Sequence, residues 1–570
     1  MTIKMQGFFE KKIVKWLFMF SGVALTAICL KDAKHSVLII GHSIGIPVAI
    51  CAWYYLFVKK SFLIEIFSEL NKKVFIFSLL TSISAMHSLM TSSLMIHVLK
   101  TLFSLQSVDV TNHIPPALES LVPLLRNFIL NYFSVSTLYV FGIVVVTLIS
   151  CLAFPCIFVC MYKLWNVVYK KTCVEIKIAD KIEKLYFLFS VMVFTVLILV
   201  LYNKTTSFSE GINYIYSADS LYFLGRATFR GQLLFQRPLF EILYLPIYSI
   251  IYPISRILFF SPRAIYFLIQ FVHIILIVAC AIMQSRFLKL SGISKTAFLV
   301  ITSVTYPFII FAFTIEQYVF SIFLLNLFLY TYLENKENKE NLYIAATGAL
   351  ITTGVLLPLI IKGKTLMDKV SCLFFDALKA LIVFSVFGVL TTLIYVESGL
   401  NWFLRFSTPT KPISEKILYF LNFVKECVIA PDGFVMFLSL DSFSSYVYWA
   451  ADTTSVDYIG LSLLILALLG FAFNYNDRFS QICIGWIVFG FFIVGIFGYG
   501  LEYHETFLYS LYFGWAYIAL LFKLIDKILS KTHNAVKISV YATIIITLCI
   551  VNIPEFINVI NFGLEFYPVS

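Results

Sequence analysis

Charged side chains are scarce in this sequence. Only 13% of its 570 residues are Asp, Glu, Lys or Arg, against ~25% in a typical soluble chain. A water-facing surface cannot be built from so little charge, which excludes a cytosolic or secreted enzyme and a disordered scaffold. No Cys-x-x-Cys pair occurs among the 11 cysteines, and their wide spacing gives neither a zinc site nor a disulfide framework. Cys29, Cys51, Cys151, Cys156, Cys160, Cys280, Cys483 and Cys549 lie in apolar runs, where cysteine acts as a small hydrophobe. No small-residue cleavage site follows the first apolar run, so Lys4, Lys11, Lys12 and Lys15 introduce a signal anchor. The apolar runs do not alternate with polar residues, which argues against a β-barrel. No internal repeat is visible.

What is present is apolar bulk: 60% hydrophobic residues, including 59 Phe and 33 Tyr, and a mean hydropathy of +0.92. The fold class this predicts is an all-α polytopic membrane protein. Crossing the ~30 Å hydrocarbon layer takes about 20 apolar residues, and about 13 stretches qualify. They fall near 13–30, 36–58, 74–97, 136–162, 185–202, 264–284, 296–313, 317–333, 370–395, 458–474, 481–499, 507–523 and 538–555. Two further stretches are irregular. Residues 239–260 carry Pro246 and Pro253 and suit a broken interfacial helix, and 342–361 carry Gly348, Gly354 and Pro358 and suit a re-entrant segment.

The net charge of +11 reads as orientation rather than nucleic-acid binding, because the basic residues sit in short loops with no basic face. With the N-terminus in the cytoplasm, Lys59, Lys60, Lys72, Lys73, the cluster from Lys163 to Lys184, Arg286, Lys289, Lys295, Arg478, Lys523, Lys527, Lys531 and Lys537 all fall inside. Making both irregular stretches full spans inverts only the segment between them. The domain division is 1–162, a membrane module of about four spans; 163–184, a basic cytoplasmic linker; and 185–570, the larger membrane domain. The long outer loops are 98–135, 203–263 and 396–457. Asn203-Lys-Thr205 is a sequon that chance alone would supply.

Ionisable residues gather in the outer loop at 203–263. Arg226 and Arg230 are helical neighbours, and Asp219 lies two turns before Arg226. Snorkelling arginines with Tyr222, Phe223 and Phe229 also suit an interfacial helix, and Asp219 suits an N-cap. The run continues into Arg237-Pro238-Leu239-Phe240, then Ser261-Pro262-Arg263 opening a span, then Tyr306-Pro307 and Glu316-Gln317-Tyr318. This order resembles the GT-C superfamily of integral membrane glycosyltransferases, the class of the protein mannosyltransferases and the bacterial aminoarabinose transferase, over about residues 185–530.

The resemblance implies transfer of a sugar from a polyprenyl-phosphate donor to an acceptor hydroxyl on a glycan, lipid or wall polymer at the outer face of the cell membrane. Asp219 takes the position of the base, although the family's adjacent second acid is replaced by Ser220. An ionised carboxylate can take the acceptor proton as it becomes acidic. Arg226, Arg230, Arg237 and Arg263 are the candidates for the leaving phosphate, since a guanidinium fork strengthens with developing charge. Tyr222 and Glu316 are further substrate-binding candidates, and helix capping accounts equally well for Glu316. Glu502, His504 and Glu505 form an acceptor-side or divalent-metal candidate, but their spacing does not converge on one helical face. No organic cofactor is implied. Lys411, Lys416, Lys425 and the aromatics Trp402, Phe406, Tyr446, Tyr448 and Trp449 of the late loop fit sugar stacking or an aromatic belt. A transporter or lipid flippase is the alternative from another class, and a polysaccharide polymerase or ligase is the nearest enzymatic one. Sparse mid-span charge disfavours the transporter.

Overall fold

The structure, a computed structural model, describes residues 180–208, 264–334, 410–440, 443–451, 455–501 and 506–569, with isolated positions at 78, 82, 214–216, 218, 240, 244, 247–248, 251, 254–255 and 407–408. Nearly all belong to one compact unit formed by 174–224, 233–243 and 253–570. The expected spans before residue 180, and the stretches 342–361 and 370–395, lie outside the described residues.

The chain is mostly helical. Five described helices are long and apolar enough to cross a membrane, or six when a bent pair counts as one span. Helix α1 (Lys181–Tyr202) begins where the Asp180 carboxylate accepts from the Ile182 amide, satisfying one of the orphan donors of a first turn. Next come α2 (Ala264–Phe287), α3 (Gly292–Ser303), α4 (Tyr306–Phe313) and α5 (Gln317–Leu333). After the gap, α6 (Ile413–Glu426) leads into an antiparallel hairpin of β1 (Gly433–Leu440) and β2 (Phe443–Ala450). The chain closes with α7 (Tyr458–Ala472), α8 (Arg478–Gly490, running on as a π-helix over Phe491–Ile496), α9 (Thr506–Leu529) and α10 (Asn534–Phe566).

Helix α9 lies at the centre, packed by α4, α5, α6, α7 and α8. Helices α1 and α10 are peripheral and turn side chains such as Leu185, Leu188, Ile546 and Ile550 outward. Exposed leucine and isoleucine along a 22-residue helix are what a hydrocarbon solvent accepts and water does not. Small residues set the closest approaches: a Cβ on Gly470 would lie 2.2 Å from the Leu520 carbonyl of α9, so only glycine lets α7 touch that backbone.

The two ends of this unit differ. At one, Arg286 and Lys295 pair with Glu183, Lys295 also reaches Asp180 at 2.7 Å, and Lys523 pairs with Asp477. Lysine bonding and the amide of Ile182 hold the Asp180 carboxyl below its ordinary value. Asp477 is lowered as well; burial is the largest single influence and opposes its charge, but the Lys523 ammonium and the Ser480 amide and hydroxyl together outweigh it. The other end carries tyrosines, phenylalanines and the hairpin.

Four expectations are corrected. The span at 296–313 is broken, α3 and α4 meeting at 60°, because Tyr306 precedes Pro307 and the helix must restart with proline in its first turn. At this break the Tyr306 amide donates to the Val428 carbonyl beyond α6, and Asn552 of α10 ties the Val304 carbonyl to the same segment. Its amide nitrogen donates to the Val304 and Val428 carbonyls, and its oxygen accepts from the Ala430 amide at 2.9 Å. The loop 396–457 holds α6 and the hairpin, so the unit is not all-α; two aromatic and β-branched runs flank Asp441-Ser442, a strand signature. The 481–499 span starts at Arg478 and changes to a π-helix. The last helix is 33 residues long, far beyond 538–555.

Candidate functional site

The hairpin end is assembled from three distant segments. Thr205 and Thr206, just past α1, join the chain end: the Thr205 hydroxyl donates to the carbonyls of Gly563 and Tyr567, and the Thr206 amide to Tyr567. The sequon threonine is therefore buried in the fold. Further on, Tyr448 of β2 donates its amide to the Tyr214 carbonyl at 2.8 Å and accepts from the Tyr216 amide at 2.7 Å. Two backbone bonds thus clamp the segment that enters Asp219.

Tyr216 is the keystone of that clamp. Its backbone is left-handed, with φ 50°, a costly conformation for a bulky side chain. The cost is offset by packing: the ring is 1% exposed and lies 4.4 Å from the Phe507 ring, while its hydroxyl is 2.6 Å from that of Tyr306. Burial, with Tyr306 beside it, raises the Tyr216 phenol well above its usual value. Burial and then the Glu555 carboxylate raise Tyr448 too, and the Tyr448 hydroxyl donates to Glu555. Both phenols therefore stay protonated, and Tyr448 acts as a donor to Glu555.

One residue before Phe507, Thr506 bonds a carboxylate that sequence reasoning missed. Glu426, at the end of α6, is fully buried. It accepts from the Asn422 amide at 2.9 Å and from the Thr506 hydroxyl at 3.1 Å. Its neighbour Lys425 pairs with Asp457 at 3.0 Å, and Asp457 caps α7 by accepting from the Gly460 amide. The only signal in the sequence was the four-residue spacing of Asn422 and Glu426, which puts both on one helical face.

Asp219, Tyr222, Arg226, Arg230, Arg237, Arg263, Glu502, His504 and Glu505 lie outside the described residues. Their flanks do not. Tyr216 stands three residues before Asp219, and Phe507 two residues after Glu505, and these two rings are in contact. The contact thus joins the described residues that flank the two predicted acidic groups. Glu316 is described: it is buried, and its carboxylate accepts from the Gln317 amide at 2.7 Å as the cap of α5. Two residues on, the Tyr318 ring lies 5.6 Å from that of Tyr509 on α9, so the start of α5 faces the same neighbourhood. His273 is buried within α2.

Among the described residues no group of three His, Cys, Asp or Glu could hold a metal ion. What the arrangement offers chemically is a buried carboxylate at Glu426, a half-buried one at Glu555, protonated phenols and an ammonium–carboxylate pair, all at one end of a helical bundle.

No protein-family model, curated protein or solved structure matches this chain. Its function is therefore argued from the residues themselves.

Proposed function

We propose that the chain is a multi-pass membrane glycosyltransferase that moves a sugar from a polyprenyl-phosphate donor to an acceptor hydroxyl on the extracytoplasmic face. Orientation follows from charge. Arg286, Lys295, Lys523, Lys527 in the last turn of α9 and the loop lysine Lys531 gather at one end of the bundle, which by the positive-inside rule is the cytoplasmic end. The hairpin end then faces outward, where no nucleotide-sugar pool exists and a lipid must carry the donor.

The observation that carries the proposal is the contact between Tyr216 and Phe507. It joins the described flanks of the Asp219 and Glu502–Glu505 segments, which supports a single site at that end of the spans. In the proposed reaction the acceptor oxygen attacks the anomeric carbon as the bond from that carbon to the phosphate oxygen breaks. The acceptor proton passes to the Asp219 carboxylate and the polyprenyl phosphate leaves with its electron pair. Arg226, Arg230, Arg237 and Arg263 supply the candidates for holding that phosphate, and Tyr222 and Glu316 the candidates for the sugar. A divalent metal at Glu502, His504 and Glu505 is not needed for this balance.

A transporter is the second reading, and one observation favours it. The α3–α4 break borders a mostly apolar cavity of about 30 Å³ whose lining includes Thr302, Ser510 and Trp515; among the described residues their buried hydroxyls and indole N–H have no hydrogen-bond partner. Broken helices beside a cavity that holds unsatisfied polar groups are a feature of transporters. One preparation separates the two. Purified protein in nanodiscs, given polyprenyl-phosphate sugar and a hydroxyl acceptor, is expected to release polyprenyl phosphate. Solute uptake into proteoliposomes without release supports the transporter and contradicts glycosyl transfer.

A further inference from the structure

The hairpin has a composition that water does not explain. Over 433–450 the only charged residue is Asp441, and there is no Lys or Arg. Edge strands that meet water normally carry lysine, proline or a bulge to block pairing. Here β2 is covered by Tyr214–Tyr216 through the backbone bonds of Tyr448, while among the described residues no strand other than β2 pairs with β1. Its residues Phe434, Val435, Met436 and Phe437 are all exposed, Phe437 by 53%. Successive strand residues point to opposite faces, so both faces of this strand are apolar.

The surroundings identify the partner. Tyr446, opposite Phe437, lies 4.3 Å from Phe566, and Tyr214 stacks on Tyr567 at 3.9 Å. Tyrosine and phenylalanine gathered at a span end form the belt that proteins place at headgroup level. Helix α10 supplies the length argument. Its 33 residues make about 50 Å, against a hydrocarbon layer of ~30 Å. Its final turns must therefore tilt or run through the interface, and Pro554 lies inside the helix where such a departure starts. Exposed Ile550, Val551, Ile553, Ile557 and Leu564 carry the lipid-facing stripe of α10 up to the hairpin. A protein partner would leave the continuity of that stripe unexplained.

We infer that the 433–450 hairpin, with the end of α10, is a membrane-contacting platform whose β1 strand lies in the interfacial layer of the bilayer that borders the hairpin end. It is independent of the sugar-transfer proposal and rests on the helices crossing a membrane.

The test is depth-resolved quenching in nanodiscs of zwitterionic phospholipid. Met436→Cys and Val435→Cys, adjacent residues on opposite strand faces, carry an environment-sensitive fluorophore; Thr532→Cys in the opposite loop is the aqueous control, and labelled unsubstituted protein gives the background. Lipids with a nitroxide high on the acyl chain are expected to quench at least one hairpin position several-fold more than aqueous iodide does, with the reverse order at 532. Iodide quenching without nitroxide quenching at both hairpin positions overturns the inference in favour of water. Protection of both from both quenchers overturns it in favour of cover by protein, whether a second copy or the first 173 residues.

Discussion

Glu426 and Asn552 show how much a single buried polar group can carry in a chain with so few of them. Each accepts or donates to partners from remote segments, and loss of either orphans groups that neither water nor lipid can reach. An unsatisfied buried group costs about 1–3 kcal/mol. Glu426→Ala strands the Asn422 amide and the Thr506 hydroxyl, so its thermal transition in detergent is expected to fall by several degrees. Glu426→Gln, which keeps an acceptor, should fall less. Equal loss in both variants would mean that charge, not hydrogen bonding, is what α6 needs there. These residues were illegible in the sequence because their partners lie up to 248 positions away, and no local pattern encodes such a pairing. Glu316, by contrast, could be foreseen as a cap, since an acidic residue directly precedes the apolar run of α5.

At the scale of elements, the apolar helices were legible because they are continuous, uncharged and of membrane length. Their interruptions were only partly so. Tyr306-Pro307 was noticed as a motif, yet the 296–313 run was long enough to read as one span. The hairpin escaped because aromatic and β-branched runs beside a membrane look like an interfacial belt until strand pairing is seen. The α3–α4 break makes its own prediction. Asn552→Leu preserves approximate volume but leaves the Val304 and Val428 carbonyls and the Ala430 amide without their side-chain partner. Stability should drop by about 2–5 kcal/mol, more than for an exposed position on the same helix such as Ile546→Ala. Protection of the Ala430 amide in hydrogen exchange reads the same event. Unchanged protection would mean that Asn552 does not hold the break.

For the whole molecule, charge asymmetry contributes to stability and underlies the proposed orientation. Asp180 and Asp477 are carboxyls held below their ordinary value near 3.8 by lysine partners. Folding with a depressed pKa contributes stability that is complete above the unfolded value. That contribution is lost as pH falls through the lower folded value. The protein in detergent is therefore expected to keep a constant transition temperature from pH 7 down to about 5 and to lose stability below about pH 4. Asp477→Asn should flatten the acid limb; an unaltered limb would remove this pair from the account. Orientation is tested by impermeant thiol labelling of intact cells. Cysteine at 220 is expected to react and cysteine at 337 to stay protected, and the reverse pattern would put the hairpin end in the cytoplasm. The overall class was readable from composition alone, because scarcity of charge leaves a chain of this length no solvent but lipid. The proposed site is read from sequence order alone, whereas the contact of Tyr216 with Phe507 and the burial of Glu426 emerge only from tertiary packing.

Central to the account is a carboxylate at Asp219 that accepts the acceptor's proton while a lipid phosphate departs. The most direct measurement compares polyprenyl-phosphate release by the unsubstituted protein and by Asp219→Asn, both purified into nanodiscs and matched for thermal transition. Removing a general base typically lowers turnover by about 10²–10⁴-fold, and a loss in that range with the transition preserved is the predicted result. Turnover within about twofold of the unsubstituted protein would contradict a base at Asp219.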